Sequence, residues 1–355
     1  MERLLIMAAK WKRKFYEKLI QYIPETKYLT KIISAHACES NLAPPIPLPS
    51  SRMFTQIKKF EPDAILTDYV GYPPWFAKFY EFISKRKIPL IFRLRGDFWT
   101  ELKDSYQYYK TYQKMEFLLW TRPLRRSSIK RPNLILPICH WLEKIANKKV
   151  PKISTYVIYQ GVEPRDWYFD PGFESIESPS IAIYQNHTVP LKVHGLLWFS
   201  NVMKKMRDVN FYIVGGGKYK KLVIDRCRNL KNVFILPWLP SEEARKFLSS
   251  TDVYVLPSGL DCCPTTLLEA ALTMKPCIAS KVGGIPELIV EGETGWTIEN
   301  GLTRTWEDCI RILLEDHNRA RHMGRSARKH VLNNFSWQVI SKNYILAIKQ
   351  ACSVI

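Results

Sequence analysis

The sequence predicts two α/β domains, each a parallel sheet wound by helices on both faces. Short apolar runs alternate with helical patterns along most of the chain. One stretch after Gly161, VEPRDWYFDPGFESIESPS, breaks the alternation with Pro, Ser and acidic residues. The length of 355 residues is enough for two cores of ordinary size.

In order, the first half reads as strand RLLIMAA, helix KRKFYEKLIQYI, strand KYLTKIISA, a Pro-rich loop and helix FTQIKKF. Strand DAILTDY and helix PWFAKFYEFISKRK follow, then strand PLIFRLRG, a long helical stretch, strand NLILPI, helix WLEKIANKK and strand TYVIYQG. Continuous apolar strands separated by helices belong to a sheet covered on both faces, a Rossmann-like arrangement. Beyond the interruption the pattern restarts with SIAIYQN, helix GLLWFSNVMKKM, NFYIVGGG and a helix. NVFILPW, helix SEEARKFLSS, DVYVLPS, helix TTLLEAALTM, KPCIAS and helix IPELIV complete it. The expected division is 1–170 and 171–334, with a C-terminal helix over about 335–355 packing back on the first domain.

The formal charge is +20, and residues 1–170 hold 30 Lys/Arg against 16 Asp/Glu. Such a field attracts nucleic acid, anionic lipid and phosphorylated small molecules alike, and a solvated basic surface explains it equally. No helix-turn-helix, zinc or RNA-recognition signature accompanies it, so nucleic acid is the weakest of these partners. Eight cysteines at irregular spacing give no zinc motif and read as reduced thiols of a cytosolic protein. His36 and Cys38 are read as no metal site, and the tripeptide Arg95 to Asp97 as no adhesion signal. Apolar runs such as MEFLLW fall well short of the roughly 20 residues that span a bilayer.

Ligands of open parallel sheets bind outside the carboxyl ends of the strands, and three such loops of the second domain carry chemistry. Gly215 to Gly217 follow NFYIV, where glycines let backbone N–H groups approach an anion; a plain tight turn is the competing reading. Gly283 and Gly284 follow KPCIAS and open the expected helix IPELIV. In SGLDCCPTTLLEAAL, Asp261 and Glu269 flank a helix start at Thr265, Thr266 and Leu267. Two carboxylates there can grip a ligand, or Thr265 is an N-cap and Asp261 a solvated loop residue.

The order of these loops resembles the signature block of the family 4 retaining glycosyltransferases, the glycosyl transferases group 1, which have the GT-B fold. An acidic residue, seven residues and Glu, then a Gly-Gly turn, a Glu and a G-x-x-G loop are matched by Asp261, Glu269, Gly283, Gly284, Glu287, Gly292 and Gly295. IAIYQNHTVPLKVHGL resembles the family's strand with Gly-Arg and a Lys five residues later; His187 takes the Arg position and Lys192 the Lys. FSWQVISKNYILAI resembles the family's C-terminal crossing helix, and ILPICHWLEKIA followed by VIYQGVEP its last elements before the hinge. The usual Gly-rich first loop is missing, with AAKWKRKF in its place.

The resemblance implies two Rossmann-like domains facing across a cleft, the second binding a nucleotide sugar and the basic first domain an acceptor. It implies transfer of the sugar to a glycan, lipid-linked or other hydroxyl acceptor with retention, without a bound metal or other cofactor. Lys192, His187 and the N–H groups of Thr265 to Leu267 would offset charge growing on the leaving diphosphate. Glu269 would hold the ribose and Asp261 the donor sugar, one methylene shorter than the family's usual Glu; Pro264 removes a backbone donor. His187, taken with an unperturbed pKa near 6.5, would gain a proton on diphosphate binding. On the acceptor side stand Lys10 to Lys12, Arg95 and Asp97, the last as an aid to acceptor deprotonation or as a helix cap. The segment Phe117 to Arg131 has the basic, aromatic composition of an anionic-membrane contact on the cytoplasmic face, or of a core helix with a basic loop. A sugar-nucleotide epimerase or an inverting transferase of the same fold is the alternative enzyme.

Overall fold

The computed structural model describes residues 2–8, 12–34, 51–68, 72–97, 99–100, 111–116 and 122–353. Lys10, Trp11, His36, Cys38 and residues 117–121 of the basic, aromatic segment lie outside these. The chain forms two compact units, Met1–Tyr159 with Ile340–Ile355, and Gln160–Val339. The division falls ahead of the Pro-rich interruption, because that stretch is bound to the second unit. There Asp170 N–H donates to Ser249 Oγ at 3.0 Å and Arg245 pairs with Asp170 at 2.9 Å.

In the first unit, β1 (Glu2–Ala8), β2 (Tyr28–Ser34), β3 (Ala64–Thr67), β4 (Leu90–Leu94), β5 (Leu134–Pro137) and β6 (Ser154–Thr155) form a parallel sheet in the order β2-β1-β3-β4-β5-β6. Its described helices are α1 (Arg13–Gln21), α2 (Ser51–Phe60), α3 (Tyr72–Ser84), α4 (Thr111–Glu116), α5 (Arg122–Ser128) and α6 (His140–Lys149). Leu4 to Met7 and Leu90 to Leu94 are buried on both faces of the sheet, as continuous apolar runs require. The run TYVIYQG differs from expectation: only Ser154 and Thr155 join the ladder, although Tyr156 and Ile158 still donate to β5 carbonyls at 3.0 and 2.9 Å.

One side chain of β4 departs from the apolar rule. Arg93 is fully buried, its guanidinium 3.9 Å from the centre of the Phe15 ring. Burial alone would lower its pKa, but the neighbouring Tyr344, Tyr16 and Asp68 outweigh that and the net direction is upward. Tyr344 comes from the last helix, so the segment 340–355 is tied to the first unit through a buried cation.

In the second unit, β7 (Ser180–Tyr184), β8 (Asn210–Val214), β9 (Val233–Leu236), β10 (Val253–Leu256), β11 (Cys277–Ser280) and β12 (Gly295–Ile298) are parallel in the order β12-β11-β10-β7-β8-β9. The helices are α7 (Pro190–Lys205), α8 (Lys220–Cys227), α9 (Ser241–Ser250), α10 (Thr265–Leu272), α11 (Thr303–Glu315), α12 (His317–Asn334) and α13 (Trp337–Ser353), which runs into the first unit's segment. α7 starts with Pro190, whose fixed φ suits a first helical position, and buries Val193, Leu196, Phe199 and Met203 against Ile181, Ile183 and Phe211. The Trp306 ring of α11 stacks edge-on to Phe199 at 5.1 Å in the same core.

One sequence expectation is corrected here, and one strand is added. IPELIV is no α-helix but a single 3-10 turn, Ile285–Glu287, and the chain turns away again at Gly292, whose φ is +78°. GWTI, unassigned in the sequence, is the edge strand β12, with Gly295 against the Cys277 carbonyl, where a Cβ would not fit.

Candidate active site

The chain order of the second sheet fixes where its site lies. After β7 the chain winds outward through β8 and β9, then returns to the other side of β7 for β10 to β12. The crevice outside the carboxyl ends of β7 and β10 is therefore the switch point at which ligands bind in open α/β sheets. The first turn of α7, after β7, carries Lys192, and the loop after β10 carries Asp261.

The two loops are held at backbone contact. Gly195 of α7 lies so close to Ser258 and Gly259 that a Cβ would collide with their main chain, and Gly259 N–H donates to Leu191 O at 3.1 Å. Behind the β10 loop, Ser258 N–H donates to Ser280 Oγ at 2.9 Å, Ser280 Oγ bonds Asn300 at 2.8 Å, and Asn300 Nδ2 returns to Ser258 O at 2.9 Å. From this frame Lys192 Nζ meets Asp261 Oδ2 at 2.6 Å, while Asp261 Oδ1 accepts from Cys262 N–H at 2.9 Å. Both side chains stay partly open to solvent, so the pair is available to a ligand rather than sealed in the core.

The Gly-Gly turn acts through Asp261. Gly283 has φ +57°, a left-handed conformation, and a side chain there would meet the Asp261 carbonyl. Gly284 N–H donates to that same carbonyl at 3.0 Å. The turn thus fixes the acidic loop.

Pro264 is the N-cap of α10, and Leu267 N–H already donates to Pro264 O at 3.3 Å. Of the three expected donors, Thr265 and Thr266 remain at the helix head. Thr266 Oγ1 accepts from the buried Tyr254 hydroxyl at 2.9 Å, which orients the first turn. Glu269 is half-buried one turn in; desolvation raises its pKa to about 7, and a hydrogen bond with Thr265 pulls the other way. Its carboxyl is therefore poised between states at neutral pH.

His187 requires a correction. It is fully buried, and desolvation, reinforced by the nearby Lys220, lowers its pKa to about 4, so it is neutral at pH 7. The cause is the fold of the Gly215 to Gly217 loop over it. His187 N–H donates to Gly216 O at 2.9 Å, Tyr219 N–H donates to His187 O at 3.0 Å, and a Cβ on Gly215 would enter the imidazole. Gly217, at φ +130°, lets the loop turn back. The expectation of an exposed, titrating imidazole at 6.5 does not hold.

Three residues that sequence reasoning missed join the setting. Lys220 heads α8 immediately after the glycines and donates from Nζ to Leu236 O at 3.3 Å. Its signal was the Lys that recurs after GGG. Trp238, half-exposed beyond β9, stacks on Tyr184 at 4.7 Å and 29° and offers a flat apolar face at the strand ends. Asn300 carried no recognisable signal, because its partners are 20 and 42 residues away.

The first unit is described by itself. Its order switches between β1 and β3, and Asp68 directly follows β3, buried, with its Oδ2 3.2 Å from Arg95 Nε. Sequence reasoning passed over Asp68, although it ends the apolar run AILT in the way Asp261 follows VYVL. Arg95 thus has an acidic neighbour. Asp97 Oδ1 accepts from Trp99 and Thr100 N–H, each at 3.1 Å, which is the helix-cap geometry of the two readings held open for it.

The sequence profile of the Glycosyl transferases group 1 family matches residues 180–330. The D-inositol 3-phosphate glycosyltransferase of Corynebacterium efficiens is 30% identical over 138 residues, 37% of this chain and 32% of that protein. The N-acetyl-alpha-D-glucosaminyl L-malate synthase of Bacillus anthracis is 26% identical over 231 residues, 62% of this chain and 60% of that protein. The chain therefore spans only about a third to three fifths of these relatives' lengths. Anabaena Alr3699/HepE, solved in complex with UDP, superposes with a TM-score of 0.72 at 16% identity, covering 99% of this chain and 100% of that one. The two six-stranded parallel sheets with flanking helices are the GT-B fold, and residues 180–330 are similar to the glycosyl transferases group 1 family.

Proposed function

We propose that the protein transfers a sugar from a nucleotide-sugar donor to a hydroxyl acceptor, glycan or lipid-linked, with retention at the anomeric carbon. The observation that carries this reading is the Lys192–Asp261 pair at 2.6 Å on the switch-point loops of the second sheet. Breaking the bond between sugar and diphosphate builds negative charge on the leaving oxygens. A preoriented cation and helix-head N–H groups stabilise that charge more in the transition state than in the ground state. Lys192 supplies the cation, with Thr265 and Thr266 at the head of α10. Asp261 accepts from donor-sugar hydroxyls, Glu269 from the ribose, and the flat face of Trp238 flanks the same strand ends. The UDP complex of the structural neighbour favours a nucleoside diphosphate as the leaving group. The acceptor would bind the basic first unit near Arg95 and Asp97. Charge on the diphosphate is met by protein groups, and we assign no metal or other cofactor to the reaction, because the sequence has no Asp-x-Asp motif on a strand-end loop.

Among the described residues no helix is long and apolar enough to cross a membrane. We place the enzyme in the cytoplasm or peripherally on the membrane's cytoplasmic face, with residues 117–131 as one anionic-lipid contact.

The test is a screen of UDP- and GDP-sugars for hydrolysis or transfer, with the anomeric configuration of the product read by NMR. Asp261→Asn should lower turnover about a hundredfold or more, the usual loss when one transition-state contact is removed. Turnover equal to wild type, or an inverted product, would refute the respective part of the reading.

A further inference from the structure

α3 carries an apolar face that is exposed among the described residues. Phe79, Phe82 and Ile83 stand three and four residues apart, opposite the buried Pro74, Ala77 and Tyr80, and are 52%, 80% and 48% exposed. A helix on a soluble surface presents polar residues on that side. Here the chain continues from the apolar face straight into Lys85, Arg86 and Lys87, all exposed. α5 packs against α3 and brings the exposed Arg126, with exposed Lys130 just beyond it. Among the described residues, the acids beside this face are already matched: Glu81 pairs with Lys78 and Asp63 with Arg86, each at 2.7 Å.

We propose that this face of α3 docks on an anionic membrane surface, the three apolar side chains entering the headgroup boundary and the rim of Lys and Arg meeting lipid phosphates. The charge selects this occupant. A second copy would bring two basic rims together on a chain of net charge +20, which repulsion opposes. α3 runs back from the carboxyl end of β3, so the exposed end of the helix is the one remote from the strand-end loops of its sheet. Docking through it therefore attaches the first unit while those loops stay open. This surface adjoins the segment 117–131, from which Arg126 and Lys130 reach its rim; the proposal rests on the peripheral membrane reading, and its test alters neither that segment nor the sugar-donor site.

The experiment is co-sedimentation of the full chain with phosphatidylcholine vesicles, with and without phosphatidylglycerol, at low and high salt. Wild type should bind the mixed vesicles at low salt and leave them at high salt. The triple variant Phe79→Ser, Phe82→Ser, Ile83→Ser and the double variant Lys85→Ser, Lys87→Ser should each lower the partition coefficient by about tenfold or more. Unchanged thermal stabilisation of both variants by UDP would show an intact second unit, and unchanged far-UV circular dichroism an intact first one. Absence of wild-type binding to mixed vesicles, or variants that bind as well as wild type, would overturn the proposal. So would a wild-type dimer that the triple variant dissolves without any vesicle binding, which would assign the face to a second copy.

Discussion

Glu269 and His187 are the two titratable residues whose environments push them in opposite directions, and each gives a pH-dependent prediction. Burial raises the Glu269 carboxyl to about 7, so the folded state holds its proton more tightly than the unfolded chain. Hydroxyls of a bound ribose would donate to the ionised carboxylate, so nucleotide binding should release a proton and strengthen as pH rises through 7. Glu269→Gln should weaken nucleoside diphosphate binding by roughly 1.5 to 3 kcal/mol above pH 7 and remove the pH dependence. Calorimetry in two buffers of different ionisation enthalpy reads both effects; an affinity equal to wild type across the range would rule out the contact. The same shift costs wild-type stability as pH rises from about 4.5 through 7, so the variant should gain in melting temperature relative to wild type at pH 8.

For His187 the sign reverses. Its folded pKa of about 4 lies below the ordinary 6.5, so the unfolded chain takes up the proton first on acidification. Stability from this site is fully present above 6.5 and is lost as pH falls toward 4. His187→Leu should flatten that acid limb in thermal melts. His187→Arg should destabilise at every pH, because a guanidinium in the space beneath Gly215 is a buried charge without room. An Arg variant as stable as wild type would mean that the loop opens readily over this position.

At the scale of elements, the site depends on glycines that allow backbone to touch backbone. Gly195→Ala keeps α7 helical, and alanine is the better helix former, so propensity alone predicts a gain. The added methyl would instead strike the main chain of Ser258 and Gly259, so a loss of about 1 to 3 kcal/mol is expected. Because that contact sets the spacing of the Lys192 and Asp261 loops, donor turnover should fall with it. Urea melts and turnover measured on the same sample separate the two effects. A variant more stable than wild type would show that the loops are spaced by something else.

At the scale of the whole molecule, charge and ligand linkage are the accessible quantities. A nucleoside diphosphate at a hundred times its dissociation constant should stabilise the second unit by about 2.7 kcal/mol. If the units unfold separately, the first unit's transition should not move. Excess EDTA should leave both the stabilisation and the turnover intact; loss of turnover restored by manganese would overturn the metal-independent reading.

The sequence by itself determined the alternation of strands and helices and the presence of two sheets, which follow from local apolar periodicity within a dozen residues. Asp261 and Glu269 stood out as polar residues just after a buried strand, and Lys192 joined them as a candidate only through the family resemblance. The tertiary structure alone decided that Gly283 and Gly284 serve Asp261, that Asn300 braces Ser258 across 42 residues, and that His187 lies neutral under Gly215. Strand order β10-β7-β8 brings those distant segments together, and no local pattern encodes which strands become neighbours. Burial, and with it the protonation state of His187 and Glu269, is set by that packing. The same residue types on an open loop would carry ordinary pKa values, so the chemistry of the site becomes definite only once the two loops have closed on each other.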